Sequence, residues 1–402
     1  MTLHAPLQVI VDALAADIQR DVAIDDRHIR WLAHSPHRGA PDEARMRSIL
    51  ARRVTDAAAA WAFSFGIHEA EGPVRLPANT TVGAQPRICV ALRHSSILLG
   101  FMFIIDPDES LTSAQLEQAE HAAHEAAQVL YRERRLRELE RERQRWLITH
   151  LLGPEPAEAE DAARALVEEA VLEAGRAVVL VLHAEASADD RPRVEIGLGA
   201  ALDRLGRLVP DRGGVGMCRA DHGVFVAAAD APGARSPRDL AERLAVLGDE
   251  ELSAVGQSVQ TRVGVGATHA LGEARRSYGQ ALDAAAVARR IERFGRVAAW
   301  DTLGVYRTLA SFPEGLGDDA LHPGVIALLD GNGNDDLILT LEVYLDHAGD
   351  AKAAAEALCV HRASLYHRLQ RIEKITGARL KDGDDRLALH LGLRLARLTQ
   401  RQ

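Results

Sequence analysis

Over the first 130 residues the apolar positions switch between two periods. Leu7, Ile10, Val11 and Leu14 fall at helical spacing. Short strand-like runs follow at 21–24, 61–66, 86–93 and 97–105. Asp106-Pro107 closes the last of these, and 112–131 returns to a helical pattern. The mixture predicts an α/β domain over residues 1–130.

A different pattern occupies 131–152. The run YRERRLRELERERQRW contains no Gly or Pro and continues the preceding helix. Leu136, Leu139, Trp146 and His150 stand at a/d spacing, with Arg143 at the position between. This predicts a connector helix able to form a parallel coiled-coil seam. Gly153-Pro154 ends it.

Residues 172–300 read as βαββαβα. A fully apolar run at 177–182 is a buried strand, 194–208 a helix, and 214–229 two strands turning at Asp221-His222-Gly223. A helix at 237–247, a strand at 259–268 and a long helix at 271–291 complete a ferredoxin-like arrangement.

The last block, 336–402, follows the turn-forming run Asp330-Gly331-Asn332-Gly333-Asn334 and is all-α. Leu337, Leu341, Tyr344 and Leu345 form one apolar stripe. Asp350 suits the N-cap of a helix at 351–358, Cys359-Val360-His361 turns the chain, and a third helix runs over 362–375 to a stop at Gly377. Two helices joined by three residues have helix-turn-helix spacing. Ala354 and Ala355 are small where the helices must cross, and Leu358, Val360, Leu365, Leu369 and Ile372 supply the buried face. The opposite face carries Arg362, Ser364, Tyr366, His367, Arg368, Gln370 and Arg371. These groups can bond phosphates or base edges in a major groove. With Lys352 and His361 they are the candidate contacts to double-stranded DNA.

Charge supports that reading only through its distribution. The chain of 402 residues carries a net charge of −10, which argues against non-specific polyanion binding. From Ala351 onward, however, eleven basic residues stand against five acidic ones, so a tail of +6 sits on a body of −16. A plain solvated face would explain charge alone; it does not explain the donor row on one helix face.

Bulk composition adds little more. Apolar residues at 47% and charged residues at 26% fit a folded chain of several domains. Cys89, Cys218 and Cys359 are scattered, so no disulfide framework or structural zinc site is expected and a reducing, cytoplasmic compartment fits. Acidic Asp12 and Asp17 interrupt the N-terminal apolar residues, so no signal peptide is expected there, and no membrane span is expected anywhere.

The tail also resembles a known family. Thr340-Leu341, Tyr344-Leu345, His361-Arg362, Ser364-Leu365, Arg368-Leu369, Arg371-Ile372-Glu373 and Thr376-Gly377 match the C-terminal signature of PucR/CdaR-type transcriptional regulators. Leu303-Gly304-Val305-Tyr306-Arg307 matches the segment that precedes it. Ala363 stands where the family usually has Asn, which removes a polar group near the start of the helix. The middle block is similar to the family's degenerate GGDEF-like domain through Gly264-Val265-Gly266, Leu271, Ser277-Tyr278, Ala281 and Ala284. The first block is similar to a GAF sensor domain through its strand and helix order and the 98–106 strand. The resemblance implies a homodimeric regulator that binds operator DNA and senses a small organic effector. Trp61, Phe65, Arg87, Arg93 and His94 are the candidate effector contacts.

Rival functions leave weaker traces. A nucleotide cyclase needs a Gly-Gly turn and two metal-holding carboxylates. The hairpin here reads Arg219-Ala220-Asp221-His222-Gly223-Val224-Phe225, with one carboxylate and no double glycine. An adaptor whose helix-turn-helix docks on protein is disfavoured by the basic tail. Gly264-Val265-Gly266 lacks the third Gly of a dinucleotide fingerprint. His121 and His124, and His34 and His37, read as solvated histidines rather than metal ligands. No cofactor is expected.

Overall fold

A computed structural model describes residues 5–36, 46, 54–310 and 321–399. His37 lies outside the described residues. The chain divides into two compact units, 1–142 and 143–402.

The first unit is built on an antiparallel five-stranded sheet. Its elements are α1 (Ala5–Ile18), β1 (Val22–Asp26), β2 (Trp31–His34), α2 (Asp56–Phe63), β3 (Val74–Leu76), β4 (Arg87–His94) and β5 (Ile97–Ile105). The strand order is β2-β1-β5-β4-β3. Period-2 alternation splits the sheet's side chains between two cores. Ile88, Val90, Leu92, Met102 and Ile104 pack against Leu7, Val11 and Leu14 of α1 and against the start of the next helix. Cys89, Phe101 and Phe103 face the other way and meet Ala62 and Ile67.

Two expectations fail here. Residues 61–66, read as a strand, are the last turn of α2 (61–63) and the turn that follows it (64–66). Thr55 caps that helix by accepting from the Ala58 amide, and the alanine run 57–60 propagates it. The aromatics of Trp61-Ala62-Phe63-Ser64-Phe65 only mimic strand alternation. The short strands β2 and β3 went unpredicted.

The next helix, α3 (Ser113–Leu151), is continuous over 39 residues and includes the Arg-rich run. Leu136 and Leu139 on it are 59% and 53% exposed, as an unpaired seam would be. Arg143, expected at a seam position, pairs with Glu169 and lies 4.8 Å over the Trp146 ring.

The second unit continues with α4 (Pro156–Glu168), β6 (Arg176–His183), α5 (Arg191–Gly206), β7 (Gly214–Cys218), β8 (His222–Ala228), α6 (Pro237–Ala254), β9 (Arg262–Val265), β10 (His269–Ala270), α7 (Ala274–Arg290) and β11 (Val297–Ala299). The main strand order is β11-β9-β6-β8-β7, with β6, buried from Ala177 to Leu182, at its centre. Val178, Leu180 and Leu182 face α5 and α6, while Ala177 and Val179 face the end of α3, α4 and α7. The two glycines flanking Val265 serve this packing. A Cβ on Gly264 would run into the Ala281 carbonyl, and one on Gly266 into that of Ser277, both on α7.

The β7–β8 turn falls earlier than expected. His222 and Gly223 are already strand residues, and the chain reverses through Arg219-Ala220-Asp221. Gly223 is where it is because Leu202 of α5 packs close over its backbone.

Among the described residues, five helices follow α8 (Tyr306–Ala310): α9 (Pro323–Leu329), α10 (Asp335–Asp346), α11 (Ala351–Ala357), α12 (Arg362–Thr376) and α13 (Gly383–Leu398). They share a core of Val325, Leu328, Leu341, Ala354, Leu365, Ile372 and Leu389. Among the described residues no helix is long and apolar enough to cross a membrane.

Candidate nucleic-acid interface

Local chemistry fixes the helix pair. Asp350 accepts from the Lys352 and Ala353 amides and caps α11. The turn then runs Leu358-Cys359-Val360-His361, with Cys359 in the left-handed region at φ +54°. His361 caps α12 through Nδ1, which accepts from the Ala363 amide at 3.2 Å. Gly377, at φ +68°, ends α12 in the left-handed conformation that favours glycine. Thr376 holds the turn from its hydroxyl, which donates to the Ile372 carbonyl and accepts from the Ala378 amide. Glu373 turns back to accept from Leu380 N–H at 2.8 Å. The only acid expected on the DNA-facing helix is thus taken up by the fold.

Burial sorts the candidate residues. Ala354, Leu365 and Ile372 are fully enclosed, and Ala355 and Leu369 nearly so. Lys352, His361, Arg362, Ser364, Tyr366, His367 and Arg371 are exposed. Arg362 donates to the Tyr366 hydroxyl at 3.2 Å and lies over its ring. Arg371 makes no ion pair among the described residues.

Arg368 departs from this set. Its guanidinium donates to Thr340 Oγ1 at 3.1 Å and pairs with Asp336 at 3.3 Å, both on α10. The charge that looked like a DNA contact ties the recognition helix to its neighbour. Two arginines of α13 do the same from behind: Arg394 pairs with Asp346 and Arg397 with Glu342.

The candidate effector residues gather only in part. Trp61 and Phe65 contact edge to face at 5.8 Å, and Arg87 lies 5.8 Å over the Trp61 ring. Arg93 instead donates to the His68 carbonyl. His94 points to the opposite sheet face, where it stacks on Tyr131 at 4.0 Å. These five do not line one pocket.

The middle domain holds a polar cluster that the sequence did not single out. His222 bonds Asp221 at 2.7 Å and the Tyr278 hydroxyl at 2.8 Å. Burial lowers its affinity for a proton. His183, beside Arg289, is pushed down to about 4, first by burial and then by that positive charge. Asp283 is pushed up to about 6 by burial alone. Among the described residues no group of three or more His, Cys, Asp or Glu could hold a metal ion. His121 pairs with Glu125, and His34 lies edge-on to Trp31.

A capped helix-turn-helix with an exposed donor row, following an α/β middle domain, defines the chain as a DNA-binding transcriptional regulator. Residues 337–395 match the PucR C-terminal helix-turn-helix domain, and residues 172–287 match the GGDEF-like domain. The chain is 21% identical over 401 residues to the proline-responsive transcriptional activator PutR of Bacillus subtilis (strain 168), covering 96% of this chain and 95% of that one. It is 19% identical over 401 residues to the DNA-binding transcriptional activator AdeR of the same organism, covering 97% and 92%. A crystal structure of a regulator of polyketide synthase expression from Bifidobacterium adolescentis shares 18% identity and covers 64% of this chain and 99% of that one. Its TM-score of 0.27 is too low to establish a shared overall fold.

Proposed function

We propose that the chain binds operator DNA as a homodimer through Lys352, His361, Arg362, Ser364, Tyr366, His367 and Arg371, with Arg368 positioning α12 rather than reading DNA. The observation that carries this is the exposed donor row on α12, set opposite a fully apolar face. One such helix reads few base pairs, so two copies on paired half-sites give specificity. The exposed Leu136 and Leu139 at a/d spacing support α3 as the dimer seam. Selecting bound sequences from a random DNA pool tests the reading. A specific site whose affinity falls with salt supports it, and salt-insensitive or absent binding refutes it. Light scattering should give twice the chain mass, reduced to the chain mass by Leu139→Lys.

The first unit is read as a GAF-like sensor of a small organic effector. The antiparallel order β2-β1-β5-β4-β3 supports that fold. Trp61, Phe65 and Arg87 offer an apolar wall with a cation at its edge. The GGDEF-like domain is read as a structural and signalling module without cyclase activity, since its hairpin keeps Asp221 alone and Asp221 is bonded to His222. Incubation with nucleoside triphosphates and Mg²⁺ should yield no cyclic product. A cytoplasmic site of action follows from the DNA target.

A further inference from the structure

We propose that the cleft between the end of α7 and the helix-turn-helix domain binds a small organic anion with a carboxylate or phosphomonoester head and an apolar body. Three features of the cleft support this.

The first is size. A cavity of about 940 Å³ lies within the second unit, with the end of α7 and the residues after it on one side and α10 and α13 on the other. Pockets that take small molecules run roughly 300–1,000 Å³.

The second is charge. Five arginines line the cleft against three carboxylates. Arg293 is exposed and makes no ion pair among the described residues. It rests 4.9 Å over Phe294 and 5.0 Å over Tyr306. A guanidinium stacked this way keeps its donor edge for an oxyanion, which it can grip with two parallel bonds.

The third is the apolar wall. Leu339 is 50% exposed and lines the same space as Ile338 and Leu393. An exposed leucine in the same cleft as Arg293 suits an amphipathic anion and does not suit a bare inorganic one.

The site has a route to the DNA-binding face. Arg397 lines the cleft and pairs with Glu342 of α10. Burial raises the proton affinity of the Glu342 carboxyl, so its ion pair is held against a desolvation cost. The same α10 holds Arg368 of the recognition helix through Asp336. An anion that draws on Arg397 therefore acts on the helix that supports α12. That consequence rests on the regulator reading; the binding itself does not.

The test titrates the full-length protein with phenylacetate, hexanoate and phenyl phosphate, with inorganic phosphate as the probe lacking an apolar body. Calorimetry should show saturable binding of at least one organic probe, one per chain, with inorganic phosphate at least about tenfold weaker. The carboxylate and phosphate arms distinguish the two heads. Arg293→Glu and Leu339→Trp should each weaken binding about tenfold or more. Leu339 is half exposed, so the tryptophan fills the cleft without entering the core, and that variant carries the test if Arg293→Glu does not fold. The proposal is overturned if no organic probe binds, if inorganic phosphate binds as well as they do, or if binding survives the folded variants. DNA binding measured on the same samples without probe separates the two readings: its absence refutes the regulator and leaves the cleft standing.

Discussion

Arg368 and Arg371 lie one helical turn apart on α12 and should fail in different ways when cut to alanine. Arg371 is exposed without an ion-pair partner, so each copy is available to neutralise one phosphate. Its loss should reduce the slope of log affinity against log salt by about 0.9 per contact. Between 50 and 200 mM salt, the ratio of wild-type to variant affinity should then shrink about 3.5-fold for each phosphate lost. Arg368 is 29% exposed and already spends its charge on Asp336, which is 75% exposed, and on the Thr340 hydroxyl. An ion pair that open contributes less than about 1 kcal/mol, and the hydrogen bond to the buried Thr340 about 1 kcal/mol. Arg368→Ala should therefore lower the stability of the helix-turn-helix by about 1 kcal/mol and weaken DNA binding at every salt concentration with little change in slope. Fluorescence anisotropy on a selected DNA site, at four or more salt concentrations, measures both slopes. A wild-type slope for Arg371→Ala, or an equal loss of slope for Arg368→Ala, would falsify this division of roles.

Three further outcomes follow from local geometry. Gly264→Ala drives a methyl group into the α7 backbone and should cost about 3 kcal/mol or more; an unchanged thermal melt would show that α7 can shift. Asp350→Ala removes the cap of α11 and should cost about 1 kcal/mol, read as a lower denaturation midpoint; no change would mean that the cap is dispensable. Asp283 has a folded pKa of about 6, above its ordinary 3.8, so its favourable contribution is full below pH 3.8 and lost as pH rises through 6. Asp283→Asn should accordingly stabilise the protein at pH 7.5 by on the order of 1–2 kcal/mol, allowing for partial solvent access, and by nothing near pH 4. Equal gains at both pH values would sink that account.

The elements legible in the sequence were those whose signals are local. Asp350, the turn before His361 and Gly377 each act within a few residues, so the helix-turn-helix could be placed almost to the residue. The apolar run of β6 and the βαββαβα order were legible for the same reason. Signals that depend on a partner far along the chain were not. Arg368 advertises a charge, but nothing near it says that Thr340 and Asp336 will stand opposite. Gly223 looked like a turn residue when its smallness serves Leu202 across the sheet. His94 was grouped with Arg87 and Arg93, yet strand alternation sends it to the other face, where it stacks on Tyr131. Residues 61–66 misled through aromatic spacing, where Thr55 and the alanines decided the outcome.

The ion pairs of α10 limit how the DNA-reading surface can be controlled. Asp336 fastens it to the recognition helix, while Glu342 and Asp346 fasten it to α13. Three helices are thereby clamped at both ends of one rod, with a closed apolar core between them. Such a body has no soft joint about which α12 could swing alone. In the proposed homodimer, a signal arriving from elsewhere in the chain would have to steer the whole headpiece, altering the separation or the angle between the two copies. The half-site sequence should then stay the same in the on and off states, and only the spacing between half-sites that the dimer tolerates should change.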